Sequence, residues 1–349
     1  MIENISKLKY IFLTLMPFVV TAQTYGVDEL TKDLRDTLSP FTLVLYEVED
    51  LRSPFLCGVE EFVIAIEAED LGFKEFPMEV CKFENLQSIN LSLNEIVLIN
   101  LDLGFLKMLR DVNLSHNMIN SFTLYGPVNI ETLILSDNKI SSTLDLSEYK
   151  NLNNLDVSHN DISDIILPIE NDIKDLSLSY TNLKEEQIVR ILRSVMGLEG
   201  IGLGACKLTP EILSSINWTL IRRLELNGVS GLGIFDVLNN PNLSNIEDLS
   251  ISGNKLNAND LDGLIFPKMK VLNISSNSFK DFPCVKFGDG LEHIYMKRNE
   301  ITFPPLQLLK YPNLIINCDR VLMEKADEIL SSKYSKRFIW TNPRYLNMP

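Results

Sequence analysis

The sequence predicts an α/β repeat fold, in which similar short units stack into a curved solenoid. A phrase that begins at Leu109 reads Leu-x-x-Val-x-Leu-x-x-Asn-x-Ile, and variants of it begin at Leu152 and Met269. The chain is 45% hydrophobic, which is ample for a continuous core. One such unit cannot bury its own apolar face, whereas a stack of units can. The period therefore decides the fold class.

Twelve units can be aligned by their first apolar position, at intervals of 20 to 25 residues. The first and last units match the phrase poorly, as expected where one face of a unit meets solvent. The predicted starts are Glu61, Leu86, Leu109, Ile130, Leu152, Ile173, Leu198, Ile221, Ile246, Met269, Leu291 and Tyr311.

Each unit should begin with a short strand, because its apolar residues alternate. The Asn that follows has an amide that both donates and accepts, so it can satisfy backbone groups of neighbouring coils. This position is interrupted at Thr181, Cys206 and Val229. It holds Asn94, Asn117, Asn138, Asn160, Asn254, Asn277 and Asn299.

The segments that return from one strand to the next are of two kinds. Residues 185–192 have helical apolar spacing, and Thr209-Pro210 is a typical helix start. Helical returns are thicker, so we expect tighter curvature between about residues 173 and 245. Proline favours extended returns at Phe76-Pro77, Leu167-Pro168, Phe282-Pro283 and Phe303-Pro304.

The pattern resembles the leucine-rich repeat superfamily over residues 61–321. The resemblance implies a leucine-rich-repeat solenoid with a parallel sheet on its concave side and helical or extended segments on its convex side. It also implies that the protein binds other proteins. The chain looks most like secreted members, including those of eukaryotic parasites such as microsporidia.

The rest of the chain divides around the repeats. Residues 1–22 resemble a signal peptide, with Lys7 and Lys9 before a short apolar stretch and a cleavage site before Gln23. The alternative is an uncleaved apolar helix that packs on the first coil. Residues 23–60 are interpreted as an N-terminal cap with a helix and then a strand at 41–48, and residues 322–349 as a C-terminal helical cap and tail.

The charge, the apolar runs and the spacing of the histidines argue against several classes of function. The net charge of −15 argues against nucleic acid as a partner, because phosphate backbones favour clustered Lys and Arg. No later segment has about eighteen consecutive apolar residues, so no membrane span is expected. His116 and His159 lie two coils apart, about 10 Å, which is too far for one metal ion to bridge. We expect no metal, no cofactor and no enzymatic activity.

The intervening residues of each strand should form the partner-binding surface. An acidic row of Asp111, Asp156 and Asp175 predicts a protein partner with a basic patch, and the alternative is a generic polar face. Residues Gly200, Gly202, Gly204, Ser250 and Ser252 predict a shallow, bare patch. The candidate binding residues are Asp111, His116, Glu131, Asp156, His159, Asp175, Tyr180, Arg222, Arg223, Glu225, His293, Tyr295, Lys297 and Arg298.

Two kinds of modification are also predicted. Cys57 and Cys81 lie nearly in register before Ile64 and Ile89, so the sequence allows either a disulfide between them or two free thiols. Five Asn-x-Ser/Thr sequons follow residue 22, and Asn217 and Asn242 are the better glycosylation candidates because they lie in return segments.

Two functions remain open. The first is a secreted, non-enzymatic protein-recognition module. The second is an intracellular regulatory scaffold of the phosphatase- or ubiquitin-ligase-adaptor type, which requires an uncleaved N-terminus and reduced cysteines. An enzyme that carries the repeats as a targeting arm is disfavoured, because the flanking segments are too short for a catalytic domain.

Overall fold

A computed structural model describes residues 40–46, 48–52, 60–125, 129–229 and 233–339. The predicted signal segment, the predicted cap helix, Cys57 and the end of the tail lie outside these residues. The chain forms two compact units, residues 1–173 and 174–349, called the first and second units here.

Within the described residues, the first unit contains six parallel inner strands, one from each successive coil. The predicted strand at 41–48 is confirmed only for its first four residues, since a 3-10 helix begins at Val48. The inner strands are β1 (Phe41–Val44), β2 (Val63–Glu67), β3 (Ser88–Asn90), β5 (Asp111–Asn113), β7 (Thr132–Ile134) and β9 (Asn154–Asp156).

The return segments of the first unit are extended in part, but a 3-10 helix (Met78–Lys82) begins directly after Phe76-Pro77, where the proline pair predicts an extended segment. They contain two further pairs of short parallel strands, which we call outer strands. One pair is β4 (Leu98–Asp102) with β6 (Ser121–Tyr125), and the other is β8 (Thr143–Asp145) with β10 (Asp164–Ile166). Short 3-10 helices cover Val48–Arg52, Glu60–Phe62 and Met78–Lys82.

The second unit contains eight parallel inner strands and one outer pair. The inner strands are β11 (Asp175–Ser177), β12 (Gly200–Gly202), β13 (Arg223–Glu225), β14 (Asp248–Ser250), β16 (Val271–Asn273), β18 (His293–Tyr295), β19 (Ile315–Asn317) and β20 (Phe338–Ile339). The outer pair is β15 (Ile265–Phe266) with β17 (Lys286–Phe287).

Helices fill several return segments of the second unit. Both predicted helices are confirmed, and Thr209 caps the second by accepting a hydrogen bond from the Ile212 amide at 3.3 Å. They are α1 (Glu185–Ser194) and α2 (Pro210–Ser214), followed by α3 (Gly233–Leu238), α4 (Ala258–Leu261), α5 (Arg320–Ile329) and α6 (Ser332–Ser335). Short 3-10 helices cover Pro241–Asn245 and Leu306–Lys310. The predicted tail helix is thus two helices, and β20 after them pairs with β19.

The predicted register of the first and last repeats is wrong by two residues. The structure pairs Ile66, not Ile64, with Ile89, so the first repeat begins at the fully buried Val63 rather than at Glu61. At the other end Ile316, not Leu314, pairs with Ile294. Backbone pairing sets the register, and an alternating apolar run allows a two-residue shift that keeps the same face inward.

The repeated Asn residues form a ladder of buried hydrogen bonds. In Asn117 the Nδ2 atom donates to the carbonyl oxygens of Leu91, Leu114 and Ser115 at 2.9 to 3.2 Å. Its Oδ1 atom accepts from the backbone amide of Ile96 at 2.9 Å. One side chain therefore satisfies backbone groups of two coils, as the sequence predicts.

The ladder weakens where the sequence departs from Asn. The Thr181 hydroxyl makes one such bond, to the Leu178 carbonyl at 2.8 Å. Cys206 is buried as an apolar group, and burial raises the pKa of its thiol to about 11. Val229 is buried and has no polar side-chain atom. Helical returns accompany these three coils.

The ladder makes a quantitative prediction. Replacing Asn117 by Ala should lower the free energy of unfolding by about 3 kcal/mol, because several buried backbone groups lose their partner. The matched change Thr181→Val removes a single bond and should cost about 1 kcal/mol. Urea denaturation followed by circular dichroism measures both. Equal losses would contradict a structural role for the ladder.

Candidate functional site

The outward residues of the inner strands form a continuous surface on each unit, which we call the sheet face. Most inner strands have one buried central residue between two half-exposed ones, as in β5 (Asp111–Asn113) and β9 (Asn154–Asp156). The central residues fill the core and the flanking ones meet solvent. This alternation places the predicted strand residues where a partner can reach them.

Four candidate binding residues lie in the turn after the strand, not on the strand itself. His116, His159, Tyr180 and Arg298 each precede the Asn position and have φ between +52° and +55°. This left-handed conformation costs a non-glycine residue roughly 1–2 kcal/mol. The sequence signal for this turn was present, because Gly228 and Gly253 occupy the same position.

Backbone hydrogen bonds to the next coil offset the conformational cost of this turn. The His116 amide donates to the Ser136 carbonyl at 2.9 Å, and the Tyr180 amide donates to the Gly204 carbonyl at 2.8 Å. The backbone conformation therefore continues the ladder beyond the strand. The side chains at this position vary freely and form one margin of the sheet face.

Two carboxylates of the predicted acidic row lie on the sheet face of the first unit outside any ion pair of the described residues. Glu131 pairs with Arg110 at 2.7 Å, and Asp137 lies 3.7 Å from His116 Nδ1. Asp111 and Asp156 take part in no ion pair within the described residues. Asp156 Oδ1 accepts a hydrogen bond from the Ser158 amide at 3.0 Å, which fixes the orientation of its carboxylate.

In the second unit, Asp175 is neutralised by an arginine two strands away. The Arg223 guanidinium on β13 donates to both carboxylate oxygens of Asp175 on β11, at 2.8 and 2.9 Å. Burial alone would lower the pKa of Arg223, but the hydrogen bond and charge of Asp175 raise it overall. Asp175 is therefore a poor member of the predicted acidic row.

This ion pair crosses directly over Gly200 on the intervening strand β12. A methyl group on Gly200 would lie 2.0 Å from Asp175 Oδ1 and 3.1 Å from Arg223 Nε. The predicted bare patch is therefore wrong, because side chains from the two flanking strands cover the glycines. Arg223 on β13 can reach Asp175 on β11 because Gly200 places no side chain between them.

Tyr180 makes a second crossing over Gly204. Its hydroxyl donates to the Asn227 carbonyl at 3.3 Å, and a methyl group on Gly204 would lie 3.0 Å from its ring. Burial, and then the charge of Glu225, raise the pKa of Tyr180. Glu225 in turn accepts a hydrogen bond from Asn227 Nδ2 at 3.0 Å. The structure thus joins four predicted binding residues, Asp175, Tyr180, Arg223 and Glu225, around one glycine strand.

Opposite charges alternate along the residues just before the strands of the second unit. Arg222 lies 4.0 Å from Glu199 and 3.3 Å from Glu247, and Lys270 lies 2.7 Å from Glu247. The hydrogen bond from Lys270 lowers the pKa of Glu247. These exposed pairs contribute little each. They do pair the guanidinium of Arg222, a predicted binding residue, with neighbouring carboxylates.

The last coils carry an aromatic and basic group of predicted residues. The rings of His293 and Tyr295 stack with centroids 6.2 Å apart. Lys297 follows them, and burial lowers the pKa of its amine. Arg298 is exposed in the left-handed turn.

The other predicted sites are placed as follows. Cys81 is half-buried, which raises the pKa of its thiol, and its pairing with Cys57 stays a prediction. The register used to align the two cysteines changes, because Ile66 takes the place of Ile64. Asn217 is exposed and Asn242 is half-buried.

Neither a metal cluster nor a membrane-spanning helix is found in the described part of the chain. No three His, Cys, Asp or Glu side chains converge there as metal ligands. No described helix has the length and apolar character needed to cross a bilayer.

Parallel strands at one per coil, the Asn ladder and the left-handed turn together decide the architecture. The chain has the leucine-rich-repeat fold. No family profile matches its sequence, and no curated protein does.

Solved structures similar to this chain are also repeat proteins, at low sequence identity. The LRIM1/APL1C complex matches at 17% identity and a TM-score of 0.38, over 68% of this chain and 43% of that one. The leucine-rich repeat domain of APL1B matches at 16% identity and a TM-score of 0.39, over 93% and 94%. The LRR protein LIC12759 of Leptospira interrogans matches at 20% identity and a TM-score of 0.37, over 74% and 79%. This chain thus spans less than half the length of the first of these structures.

The glycine crossing can be tested by a double-mutant cycle. Gly200→Ala should lower the free energy of unfolding by about 2 kcal/mol, because the new methyl group displaces the Asp175–Arg223 pair. The same change in an Asp175→Ala background should cost at least about 1 kcal/mol less. Gly290→Ala is the matched control, since a methyl group there meets nothing within 4 Å. Additive losses in urea denaturation would refute the crossing.

Proposed function

We propose that this protein is a secreted, non-enzymatic recognition module that binds a protein partner through its sheet face. The supporting observation is the contrast between the two units. Asp175, Arg222 and Arg223 of the second unit are engaged in ion pairs, whereas Asp111 and Asp156 of the first unit take part in none within the described residues. Of the predicted acidic row of Asp111, Asp156 and Asp175, only the two residues of the first unit therefore lie outside an ion pair in the described residues.

The proposed partner presents a basic patch to the sheet face of the first unit. Unpaired surface carboxylates attract cations at long range and help to orient a partner during encounter. Thr132 pairs with Asp111 across the sheet, and Asn113 lies two residues further along the same strand as Asp111; both offer neutral polar groups for hydrogen bonds. Such an interface discriminates by charge and weakens as salt increases.

Charge reversal tests this proposal. Asp111→Lys with Asp156→Lys should weaken binding of an alternating Lys-Ser peptide at least about tenfold, because attraction becomes repulsion. The control, Glu148→Lys with Glu170→Lys, makes the same charge change at exposed positions outside the inner strands. Biolayer interferometry with the immobilised protein measures both.

Salt dependence and a reversed probe complete the experiment. Binding of the Lys-Ser peptide should fall sharply in about 1 M salt, where the screening length is only about 3 Å. An alternating Glu-Ser peptide should not bind. Equal weakening by both double variants would assign the effect to net charge and overturn the sheet-face site.

The second candidate is an intracellular regulatory scaffold with an uncleaved N-terminus. The observation that favours it is the state of three cysteines, since Cys206, Cys284 and Cys318 are all free thiols. Reduced cysteines are usual in the cytosol.

The N-terminus of the mature protein distinguishes the two candidates. For the secreted module, mass-spectrometric mapping of protein recovered from the medium of a eukaryotic host should find an N-terminal peptide that begins at Gln23. An intact N-terminus at Met1, in protein confined to the cytosol, would overturn secretion and support the scaffold.

A further inference from the structure

We propose that Asn217 carries an N-linked glycan and that the four other sequons after residue 22 do not. The inference rests on the proposed secretion, because glycosylation of this type occurs in the secretory pathway. The five sequons begin at Asn90, Asn113, Asn217, Asn242 and Asn273. The structure distinguishes them by exposure and by the hydrogen bonds of their side chains.

In the sequon at Asn217, the middle residue is half-buried and the other two residues are exposed. Asn217 and Thr219 are exposed in the loop between α2 and β13. Trp218 is half-buried, and its Nε1 donates to the Leu213 carbonyl at 2.9 Å. The Thr219 hydroxyl donates to Asn217 Oδ1 at 2.7 Å. Among the described residues, Asn217 Nδ2 has no hydrogen-bond partner.

Asn242 occupies the equivalent place on the next coil. Leu224 pairs with Leu249, and the two asparagines each lie seven residues before these partners. Asn242 is half-buried inside a 3-10 helix, where its backbone amide donates to Asn240 Oδ1 at 2.9 Å. Adjacent coils are separated by only about 5 Å at the sheet, so two branched glycans at these positions would collide. Asn217, the exposed asparagine of the two, is therefore the one with space for a glycan.

The three remaining sequons belong to the sheet face. Asn90 Nδ2 donates to Glu67 at 2.8 Å, and Asn273 Nδ2 donates to the Ser250 hydroxyl at 3.0 Å. Asn113 Oδ1 accepts from the Ser115 amide at 3.0 Å. A sugar on Asn90 or Asn273 would displace these contacts, and a sugar at any of the three would cover the sheet face. At these positions the Asn-x-Ser pattern follows from the repeat itself.

The modification is a group transfer from a lipid-linked oligosaccharide diphosphate. A bond forms between Asn217 Nδ2 and the anomeric carbon of the first sugar, while the bond from that carbon to the phosphate breaks. The lipid diphosphate leaves, and the amide loses one proton to solvent. Transfer precedes folding, so the fold selects which modified chains reach the native state.

The test uses the full chain in a eukaryotic secretory host. One version keeps the native N-terminus, and a second replaces residues 1–22 with an established secretory signal. Exported protein is treated with an N-glycosidase in heavy-oxygen water, which converts each formerly glycosylated Asn to labelled Asp, and the peptides are mapped by mass spectrometry. We expect label at Asn217 alone.

Variants at the loop provide the controls. Asn217→Gln and Thr219→Ala should each abolish the glycosidase-dependent shift in gel mobility, whereas Thr219→Ser and Asn242→Gln should retain it. An unlabelled Asn217 in exported protein, or label at any of the other four sequons, would overturn the inference. Failure of only the native N-terminus to export would instead refute secretion, since the second version still tests Asn217.

Discussion

The buried Asn ladder is the constraint on which the rest of the structure depends. Each coil leaves backbone amides and carbonyls at the end of its strand, and these groups are buried by the neighbouring coils. An Asn such as Asn138 satisfies them on two coils at once, through bonds to Leu114 and Leu135 and from Ile119. Buried backbone groups without partners are costly, so the ladder fixes both the turn and the spacing of the stack.

Each coil in which the ladder is interrupted also has a helical return segment. Thr181, Cys206 and Val229 supply one side-chain hydrogen bond or none to the ladder, and the returns beside them contain α1, α2 and α3. A helix satisfies its own backbone internally, so these coils depend less on the side-chain ladder. The glycine strand β12 lies in the same region, and its open backbone is covered by Asp175, Arg223 and Tyr180.

Neighbouring coils also decide which charges a partner can meet. Arg223 reaches past a whole strand to Asp175 because Gly200 presents no side chain. Asp111 has Thr132 beside it across the sheet and stays unpaired among the described residues. The sheet face of the first unit is therefore acidic and open, whereas the corresponding part of the second unit is internally neutralised. Exposure and charge together, and not sequence position alone, are the basis of the proposed recognition surface.

The sequence by itself determined the repeat, the strand in each coil, the Asn ladder and the helices at 185–194 and 210–214. Each depends on near neighbours in the chain or on a period that every coil shares. Only the tertiary structure decided the register of the terminal repeats and the pairing of Asp175 with Arg223. The physical reason is that these features arise between coils: a pair 48 residues apart leaves no local signal until stacking brings the side chains together.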